Sequence, residues 1–342
     1  MFSITGVVIT GELLTLNGLN GNRSTLWQAS SSGSSAMWDG NIEIIGAAYF
    51  KCENTGGTLV IGGSSADTIT GSTAGTSLNL RGNGTNLINS TISIGTMTVM
   101  KDDGGVSIIN SAGNGWGDTS VLQGALILGT SEALPRTTTL QVGKGGSAAN
   151  ALFNLNGLAQ TVSRLADLHF ASGAGTQRIT SALPAVLVVS NTVASSFGLE
   201  GSIIDGQVSL VKANTGTLTL NNTNAFSGSL TVLGGTNVIT ATGTLGINCT
   251  NVTIVAGTLK LQATDGISDA AAVVIADGGV AKIDLDGVEE TVKWLTLGNK
   301  PKLPGRYSAT AGSGIIVDTD HFSGTGVLKV LRGPSATLIS IH

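Results

Sequence analysis

The stretch from residue 208 to residue 239 most constrains how this chain can fold, because apolar and polar residues alternate there in three short runs. Each run is separated from the next by Gly, Asn, Ser or Thr, which favour turns. Alternation with a period of two predicts short β-strands with one apolar face. Strands this short cannot bury that face alone, so the pattern predicts coils of similar design that stack on one another. The alternating apolar positions are Val208, Leu210, Leu218, Leu220, Leu230 and Val232.

Several segments resemble the autotransporter-associated β-strand repeat of large secreted bacterial proteins. Residues 210–220 (LVKANTGTLTL) and 224–232 (NAFSGSLTV) resemble the repeat itself, and residues 153–165 resemble the segment that precedes it. Residues 286–297, with 305–307 and 322–326, resemble its usual C-terminal unit. The resemblance extends from about residue 122 to residue 331. It implies a right-handed parallel β-helix that is exported from the cell, and it implies no particular catalytic residue.

Composition independently favours an all-β solenoid with a narrow core. Glycine accounts for 50 of 342 residues, aromatic residues for 4% and charged residues for 11%, whereas hydrophobic residues make up 41%. Such a chain is neither collagen, which needs a fixed triplet, nor a charged disordered tail. The net charge of -4 and the scattered basic residues provide no polyanion-binding field, so we do not expect nucleic acid or an anionic membrane surface as a partner.

The length fits one elongated solenoid, because a solenoid grows without starting a second core. With roughly 20–25 residues per coil, the chain would form about 14–17 coils. We expect residues 1–264 to form the repeats. Residues 265–342 are richer in charge and hold three of the five prolines, so we expect them to form a terminal unit of the same solenoid.

The sequence predicts no membrane span, because no apolar run reaches the roughly 18 residues that a membrane helix needs. It also opens without the basic and apolar segments of a signal peptide, so we expect a mature or trimmed form of an exported protein. Cys52 and Cys249 lie far apart in the predicted stack, and a disulfide needs Cα atoms within about 7 Å. We therefore expect two unbridged thiols, either buried in the core or free at the surface.

Two tryptophans flank the Ser-rich stretch at residues 30–35, which we interpret as a loop leaving the solenoid. Trp27 and Trp38 could form an exposed stacking pair for a sugar ring. We favour the other interpretation, in which they cover the mouth of a coil.

A single glycine-rich segment, residues 62–71, is close to the nonapeptide that binds calcium in β-rolls. That motif surrounds a hard cation with oxygens from successive copies. Because only one copy is present, Asp67 is a weak calcium candidate, and an ordinary turn is the favoured interpretation.

Three acidic groupings invite a catalytic or metal-binding interpretation. β-Helix enzymes that cleave polysaccharides need paired carboxylates, usually with Arg or Lys, on one face of adjacent coils. The sequence places no such acidic and basic cluster within two or three coils, so we expect no catalytic residue, no metal and no cofactor. The groupings are Asp102 with Asp103, Asp284 with Asp286, and Asp318 with Asp320 beside His321, the last being the best of the weak candidates.

Both ends of the chain are rich in β-prone apolar residues, which predicts self-association. End coils without a polar cap expose unpaired N–H and C=O groups. We expect copies to stack head to tail, or to exchange a terminal strand, into a filament, unless a flanking segment caps the stack. The predicted assembly residues are Phe2, Ile4, Val7 and Ile9 at one end, and Leu338, Ile339 and Ile341 at the other.

The leading functional prediction is therefore a secreted, non-enzymatic, structural β-helical protein of bacterial type. It would act at the cell surface or outside the cell as a fibre, a stalk or an adhesin-like element. Its expected partners are other copies of itself, with cell-surface or extracellular polysaccharide as a second partner. Two alternatives stay open, namely a carbohydrate-active β-helix enzyme of the polysaccharide lyase or hydrolase type, and a glycan-binding module.

Overall fold

The computed structural model describes residues 1–18, 24–29, 33–71, 77–143, 149–167, 176–199 and 201–334. These residues form short strands and no helix. Parallel sheets stack as a β-solenoid of about 12 turns, which confirms the all-β, parallel β-helix fold predicted from the alternating pattern.

The strands rarely exceed five residues, because a turn residue interrupts the alternation soon after it begins. The first group comprises β1 (Phe2–Ile4), β2 (Val8–Thr10), β3 (Leu14–Gly18), β4 (Ser24–Gln28), β5 (Ser35–Asp39), β6 (Ile42–Gly46), β7 (Ala48–Cys52), β8 (Thr58–Ile61), β9 (Thr68–Gly71), β10 (Ser77–Arg81), β11 (Thr85–Ile88), β12 (Thr91–Ser93), β13 (Thr98–Lys101) and β14 (Val106–Ile109). The next comprises β15 (Thr119–Val121), β16 (Gly124–Leu128), β17 (Thr139–Val142), β18 (Ala151–Asn154), β19 (Ala159–Val162), β20 (Arg164–Asp167), β21 (Gln177–Thr180), β22 (Ala185–Ser190), β23 (Ser195–Phe197), β24 (Ile203–Gly206), β25 (Val208–Ala213), β26 (Thr217–Leu220) and β27 (Ala225–Phe226). The last comprises β28 (Ser229–Val232), β29 (Thr236–Ile239), β30 (Asn251–Ile254), β31 (Gly257–Leu261), β32 (Ala272–Ile275), β33 (Ala281–Leu285), β34 (Glu289–Val292), β35 (Trp294–Leu297), β36 (Lys300–Pro301), β37 (Gly305–Ser308), β38 (Ile315–Val317), β39 (Phe322–Gly324) and β40 (Val327–Val330).

The chain divides into two compact units. The first comprises Met1–Ser190 and Leu199–Ile204, and the second comprises Asn191–Gly198 and Asp205–His342.

In the first unit, the early coils each contribute one strand to three parallel sheets. The first sheet has the order β1-β4-β7-β10-β13-β15-β17-β20. The second sheet runs β2-β5-β8-β11-β14-β16-β18-β21 and continues into the start of β24, and the third sheet runs β3-β6-β9-β12. Strands of successive coils pair in register, so equivalent residues of different coils lie directly above one another.

The interior of the first unit is built from rows of buried aliphatic and aromatic side chains. Along the first sheet, Leu26 pairs with Phe50 and Phe50 pairs with Leu80, and all three are fully buried. Successive residues of a strand point to opposite faces, so the polar residues between them face outward. This is the alternation that the sequence displays.

The outer faces of these sheets differ in chemistry although their inner faces are alike. The second sheet carries an outward aliphatic row, whereas the outward row of the third sheet pairs Thr15 with Glu43 and Glu43 with Thr70. Paired members of the aliphatic row are Met37, Val60, Leu87, Ile108 and Ile127.

In the second unit, one sheet contains β25, β28, β30, β32, β35 and β36, and another contains β23, β26, β29, β31, β33 and β39. A third sheet has the order β34-β40-β37-β38. Most pairs are parallel, but β36 is antiparallel to β35, and β37 is antiparallel to β40. Strand β36 ends its sheet, whereas β37 also pairs in parallel with β38, which ends the third sheet.

The number of coils is smaller than expected, because coil length varies and some coils are longer than the estimate allowed. Paired residues of the first sheet advance from Thr25 to Tyr49, Asn79, Met100 and Ser120, and the step from Tyr49 to Asn79 is the longest of these. Strands β36 to β38 also add to existing sheets instead of forming new coils. The expected 14–17 coils are therefore corrected to about 12.

Gly82 shows why glycine is needed where the chain leaves a sheet. Its φ of 95° lies in the left-handed region. A Cβ atom at this position would lie 1.8 Å from the carbonyl oxygen of Cys52 in the neighbouring coil. Only glycine tolerates both the dihedral angle and the close approach of the two backbones.

The inward register of β26 can be tested with Leu220→Asp. Leu218 and Leu220 are fully buried, as the alternation predicted, and Thr219 between them faces outward. Leu220→Asp would place an unpaired carboxylate in the narrow core, so we expect the free energy of unfolding to fall by at least about 3 kcal/mol. The matched control, Thr219→Asp, should lose less than about 1 kcal/mol. Equal denaturant midpoints for the two variants would contradict this register.

Candidate functional site

The outer face of the first sheet collects aromatic and charged side chains from consecutive coils. Trp27 on β4 and Tyr49 on β7 both point outward and are half-buried. Trp27 lies opposite Lys51, and Lys51 lies opposite Arg81. We call this surface the first-sheet face; it consists of Trp27, Tyr49, Lys51, Glu53, Arg81, Asp102 and Asp103.

At one side of the first-sheet face, Trp27 is held by a lysine and a carboxylate. The indole Nε1 of Trp27 donates a hydrogen bond to Oε2 of Glu53 at 3.2 Å. Glu53 also forms an ion pair with Lys51, whose Nζ lies 5.8 Å from the centre of the Trp27 ring. The indole therefore has a fixed orientation, since both its polar edge and one flank have partners.

Beside it, Tyr49 and Arg81 form a second fixed group. The guanidinium Cζ of Arg81 lies 5.2 Å from the centre of the Tyr49 ring, and Nη2 lies 3.1 Å from carboxylate oxygens of both Asp102 and Asp103. Asp103 also accepts a hydrogen bond from the backbone N–H of Gly82 at 3.1 Å. Burial acts to lower the pKa of Arg81, but the hydrogen bond and charge of Asp103, with the charge of Asp102, outweigh it and raise that pKa.

A hollow of about 280 Å³ opens on this face. Its lining includes both aromatic rings together with Thr25, Lys51, Arg81 and Asp103. Small-molecule sites usually combine apolar or aromatic walls with a few fixed polar groups, and this hollow has both.

The structure excludes one alternative in this region and corrects one expectation. Trp27 and Trp38 do not form a stacking pair, because Trp38 points inward, is 4% exposed and packs edge-on against Phe2 at 5.8 Å. Tyr49 is the aromatic neighbour of Trp27 on the outer face instead. The correction concerns charge, since the structure does bring acidic and basic residues together on one face of adjacent coils.

Sequence reasoning missed the first-sheet face because its members lie on different coils and are far apart along the chain. A useful signal was present in the alternation itself. Tyr49 and Lys51 are the outward positions of Ala48–Cys52, so aligning successive strands by their alternation would have placed Trp27, Lys51 and Arg81 in one row.

Asp67, the weak calcium candidate, shapes a turn. Its Oδ2 accepts hydrogen bonds from the backbone N–H groups of Gly63 at 2.9 Å and Ser64 at 3.1 Å. Asp39 of the preceding coil also accepts from the N–H of Gly63 at 2.9 Å. These contacts fit the ordinary turn that the sequence favoured.

The candidates near residue 320 separate into a bonded group and an exposed residue. His321 is 8% exposed, and its Nδ1 lies 3.0 Å from Oδ1 of Asp318, while its Nε2 lies 3.3 Å from Oδ1 of Asp277. Asp318 also accepts from the backbone N–H of Asp320 and His321, so it fixes the turn before β39. Burial acts to raise the pKa of Asp318, but its hydrogen bonds to His321 outweigh burial and lower it. Asp320 itself is exposed.

Asp284 and Asp286 form a solvated ion-pair group with Lys260. Lys260 Nζ lies 3.0 Å from Asp286 and 3.9 Å from Asp284. A hydrogen bond from Gln262, and then the contact with Lys260, lower the pKa of Asp286.

A further acidic group was not anticipated. Asp265, Asp269 and Glu290 each place a carboxylate oxygen within 4.8 Å of the others, and the two aspartates line a groove of about 800 Å³. Hard cations favour such oxygens. However, Glu290 is fully buried, and its two oxygens already accept hydrogen bonds from the backbone N–H of Ile267 at 3.3 Å and of Thr291 at 3.0 Å. We therefore assign the group no metal.

Two buried lysines form matching carbonyl cages in the interior. Nζ of Lys101 donates to the carbonyl oxygens of Asp102 and Asp103 at 2.7 Å and of Gln123 at 3.2 Å. Nζ of Lys212 does the same at 2.7, 2.8 and 3.2 Å. Its acceptors are the carbonyl oxygens of Ala213, Asn214 and Gly234, which occupy the equivalent places 1, 2 and 22 residues further on.

In both cages the second residue after the lysine has a positive φ, 65° for Asp103 and 60° for Asn214, which turns the two carbonyls toward the ammonium. Burial lowers the pKa of Lys212 to about 8. Residues 101–105 and 212–216 share one sequence pattern, which is Lys, any residue, Asn or Asp, any residue and Gly. This pattern is the sequence signal that would have revealed the two lysine cages.

Comparisons of the chain with protein-family models, with curated proteins and with solved structures found no match. The resemblance to the autotransporter-associated repeat therefore depends on the residues quoted for it. Within the described ranges, no helix has the length and apolar character needed to cross a membrane.

Glu290 should make stability depend on pH. Burial raises the pKa of this carboxyl from 4.5 to about 7. The folded state then binds more protons than the unfolded state between these values, so its stabilising effect is complete below about pH 4.5 and is lost as the pH rises through about 7. We expect this one group to remove about 2–3 kcal/mol of stability over that interval.

The measurement is the free energy of unfolding at pH values from about 4 to 8, for the parent chain and for Glu290→Gln. Between about pH 4.5 and pH 7, the free energy of unfolding should fall by about 2–3 kcal/mol less in Glu290→Gln than in the parent. Glu289→Gln is the matched control, because Glu289 is the exposed neighbour on the same strand. The same slope in Glu290→Gln and the parent would contradict the buried, protonated carboxyl.

Proposed function

We propose that this protein is a secreted, non-enzymatic β-helical scaffold that assembles end to end at the cell surface or outside the cell. The observation that supports this role is the open edge of the first coil. Among the described residues, β1 pairs only with β4, β2 only with β5, and β3 only with β6. In the described ranges, β1 and β2 therefore have no second strand partner on that side, and such edges pair readily with other strands.

Apolar side chains beside this edge are exposed. Phe2 is 41% exposed, Val7 45% and Val8 63%, and Leu13 in the turn before β3 is 64% exposed. Their burial under an added coil would be favourable, at about 25 cal/mol per Å². Of the other predicted assembly residues at this end, Ile9 is half-buried, and Ile4 is only 2% exposed because it points into the core.

The last described strands of the second unit differ from this edge. Strand β36, which is Lys300–Pro301, lies antiparallel on β35, and its proline has no N–H to donate. Short strands with Lys and Pro are a usual means of blocking an edge. The other two sheets end in β39 and in β38, which pairs with β37. The predicted assembly residues Leu338, Ile339 and Ile341 lie outside the described residues.

Two unlike ends favour a heterologous contact, in which a segment of one copy binds the open edge of the next. Such contacts propagate as filaments unless the rotation closes a ring. Main-chain pairing would supply the principal interaction, as in other cases of strand addition. The secreted location rests on the resemblance to exported repeats.

A carbohydrate-active enzyme is the alternative that the charged first-sheet face favours. Its two adjacent carboxylates, Asp102 and Asp103, both bind Arg81, which holds them as an ion pair instead of freeing one for proton transfer. We therefore prefer the scaffold. Appearance of new reducing or unsaturated ends from a polysaccharide panel, abolished in Asp102→Asn, would establish the enzyme in its place.

Assembly can be tested with the 342-residue chain by sedimentation and electron microscopy across a range of concentrations. We expect filaments, and we expect Val8→Lys with Leu13→Lys to raise the concentration needed for assembly at least tenfold, a change of about 1.4 kcal/mol. Lysine is a common guard of exposed edges.

The matched control is Val193→Lys with Val280→Lys. These residues are 55% and 62% exposed and lie in the second unit, and the change adds the same two charges. Assembly of the control should equal that of the parent. A parent chain that stays monomeric at high concentration, or equal loss of assembly in both double variants, would contradict the role of the open edge.

A further inference from the structure

We propose that the first-sheet face binds a neutral oligosaccharide. This goes beyond the scaffold role and does not depend on it, because the face uses outward side chains of β4, β7 and β10 and of the turns after β7 and β13, whereas assembly uses the backbone edge of the first coil. Met1, which precedes β1, also lines the hollow.

Two aromatic rings on adjacent coils provide the apolar part of the proposed site. Trp27 and Tyr49 face outward and take no part in the buried rows, so the core does not require aromatic residues at these positions. A pyranose ring has an apolar C–H face that matches an aromatic surface, while its hydroxyl groups need polar partners nearby. Both rings line the same hollow of about 280 Å³.

The polar part of the site is already held in place. Glu53 binds both Trp27 Nε1 and Lys51, and Arg81 binds Asp102 and Asp103. The carboxylates accept hydrogen bonds from sugar hydroxyls, and the ammonium and guanidinium groups donate hydrogen bonds to them. Because the protein's own contacts fix these groups, a ligand would lose less affinity to the ordering of side chains.

The charge of the face selects a neutral ligand. It has two cations, Lys51 and Arg81, and three carboxylates, and both cations are already paired with carboxylates. A uronate, sulfate or phosphate group would therefore meet Glu53, Asp102 and Asp103 without an unpaired cation to bind it. Opposed like charges disfavour such a ligand.

The size of the hollow favours one ring of a longer chain. Its volume of about 280 Å³ is at the lower limit of small-molecule sites, which span about 300–1,000 Å³. The remaining rings would continue along the row of Thr25 and Tyr49, where Asn79 of the next coil is paired with Tyr49.

Titration calorimetry with four hexasaccharides tests the proposal. Three are neutral, made of β-1,4-glucose, β-1,3-glucose or β-1,4-N-acetylglucosamine, and the fourth is hexagalacturonate. We expect at least one neutral hexasaccharide to bind with a Kd of about 1 mM or lower. Hexagalacturonate should bind at least about tenfold more weakly than that neutral ligand.

Variants then test whether the ligand binds at the first-sheet face. Trp27→Ala and Tyr49→Ala should each weaken binding at least about tenfold. Trp27→Phe keeps a ring and should stay within about threefold of the parent, which separates loss of stacking from loss of fold. Trp294→Ala is the control, since Trp294 is a partly exposed tryptophan of the second unit, and its binding should equal that of the parent.

Three results would overturn the proposal. One is that no neutral hexasaccharide binds at concentrations up to about 5 mM. Another is that Trp27→Ala and Tyr49→Ala bind like the parent or like Trp294→Ala. The third is that hexagalacturonate is the tightest ligand. Failure of the assembly experiment would leave all of these outcomes unaffected, so the two proposals can be judged separately.

Discussion

Hydrogen bonds between successive coils are the interaction on which the rest of this structure depends. A strand of so few residues has no local partner for its backbone groups, so the N–H of Gly62 donates to Trp38 and the N–H of Asn89 donates to Ile61, at 2.7 and 2.8 Å. These bonds hold equivalent residues in register, and the register in turn stacks the buried rows such as Leu26, Phe50 and Leu80. Each coil therefore depends on its immediate neighbours, and a substitution in one coil acts locally.

Several backbone carbonyl groups in the narrow interior, most of them in turns, accept hydrogen bonds from polar side chains. Lys101 and Lys212 each bind three carbonyls, and Gln160 donates through Nε2 to the carbonyl oxygens of Leu134 and Thr161 at 3.0 and 2.6 Å. Satisfying buried acceptors outweighs the cost of burying an amine. That cost is visible in Lys212, since burial lowers its pKa to about 8.

The fold could be predicted because its main requirement is local. Alternation at residues such as Leu218 and Leu220 indicates which side chains point inward, and the turn residues indicate where each strand ends. The candidate site could not be predicted in the same way. It depends on which outward residues of different coils lie side by side, and this is set by coil length, which is greater between Tyr49 and Asn79 than between Asn79 and Met100.

Nearness in sequence is likewise no guide to which side chains share an outer face, since Trp27 points outward and Trp38 points inward. Trp38 occupies an inward position of its strand, where alternation and not nearness in sequence decides its direction. Glu290 and the two lysine cages were missed for a related reason. Each of these side chains binds a backbone group of a neighbouring coil, as when Glu290 accepts from the N–H of Ile267, and the number of residues between coils is not constant.

This fold does not dictate which side chains stand at its outward positions. Inward residues of the first and second sheets meet the same packing demand, yet one sheet carries Trp27, Lys51 and Arg81 outside, and the other carries an aliphatic row that includes Val60 and Leu87. Folding cannot account for the difference, because both outer faces are compatible with the same buried rows. A coil edge, by contrast, offers mainly backbone groups, so recognition there is sensitive to charge and insensitive to most other side-chain chemistry. Selective recognition of a small ligand must therefore come from an outer face, and the first-sheet face combines outward-facing aromatic rings with polar groups that are fixed by contacts with each other.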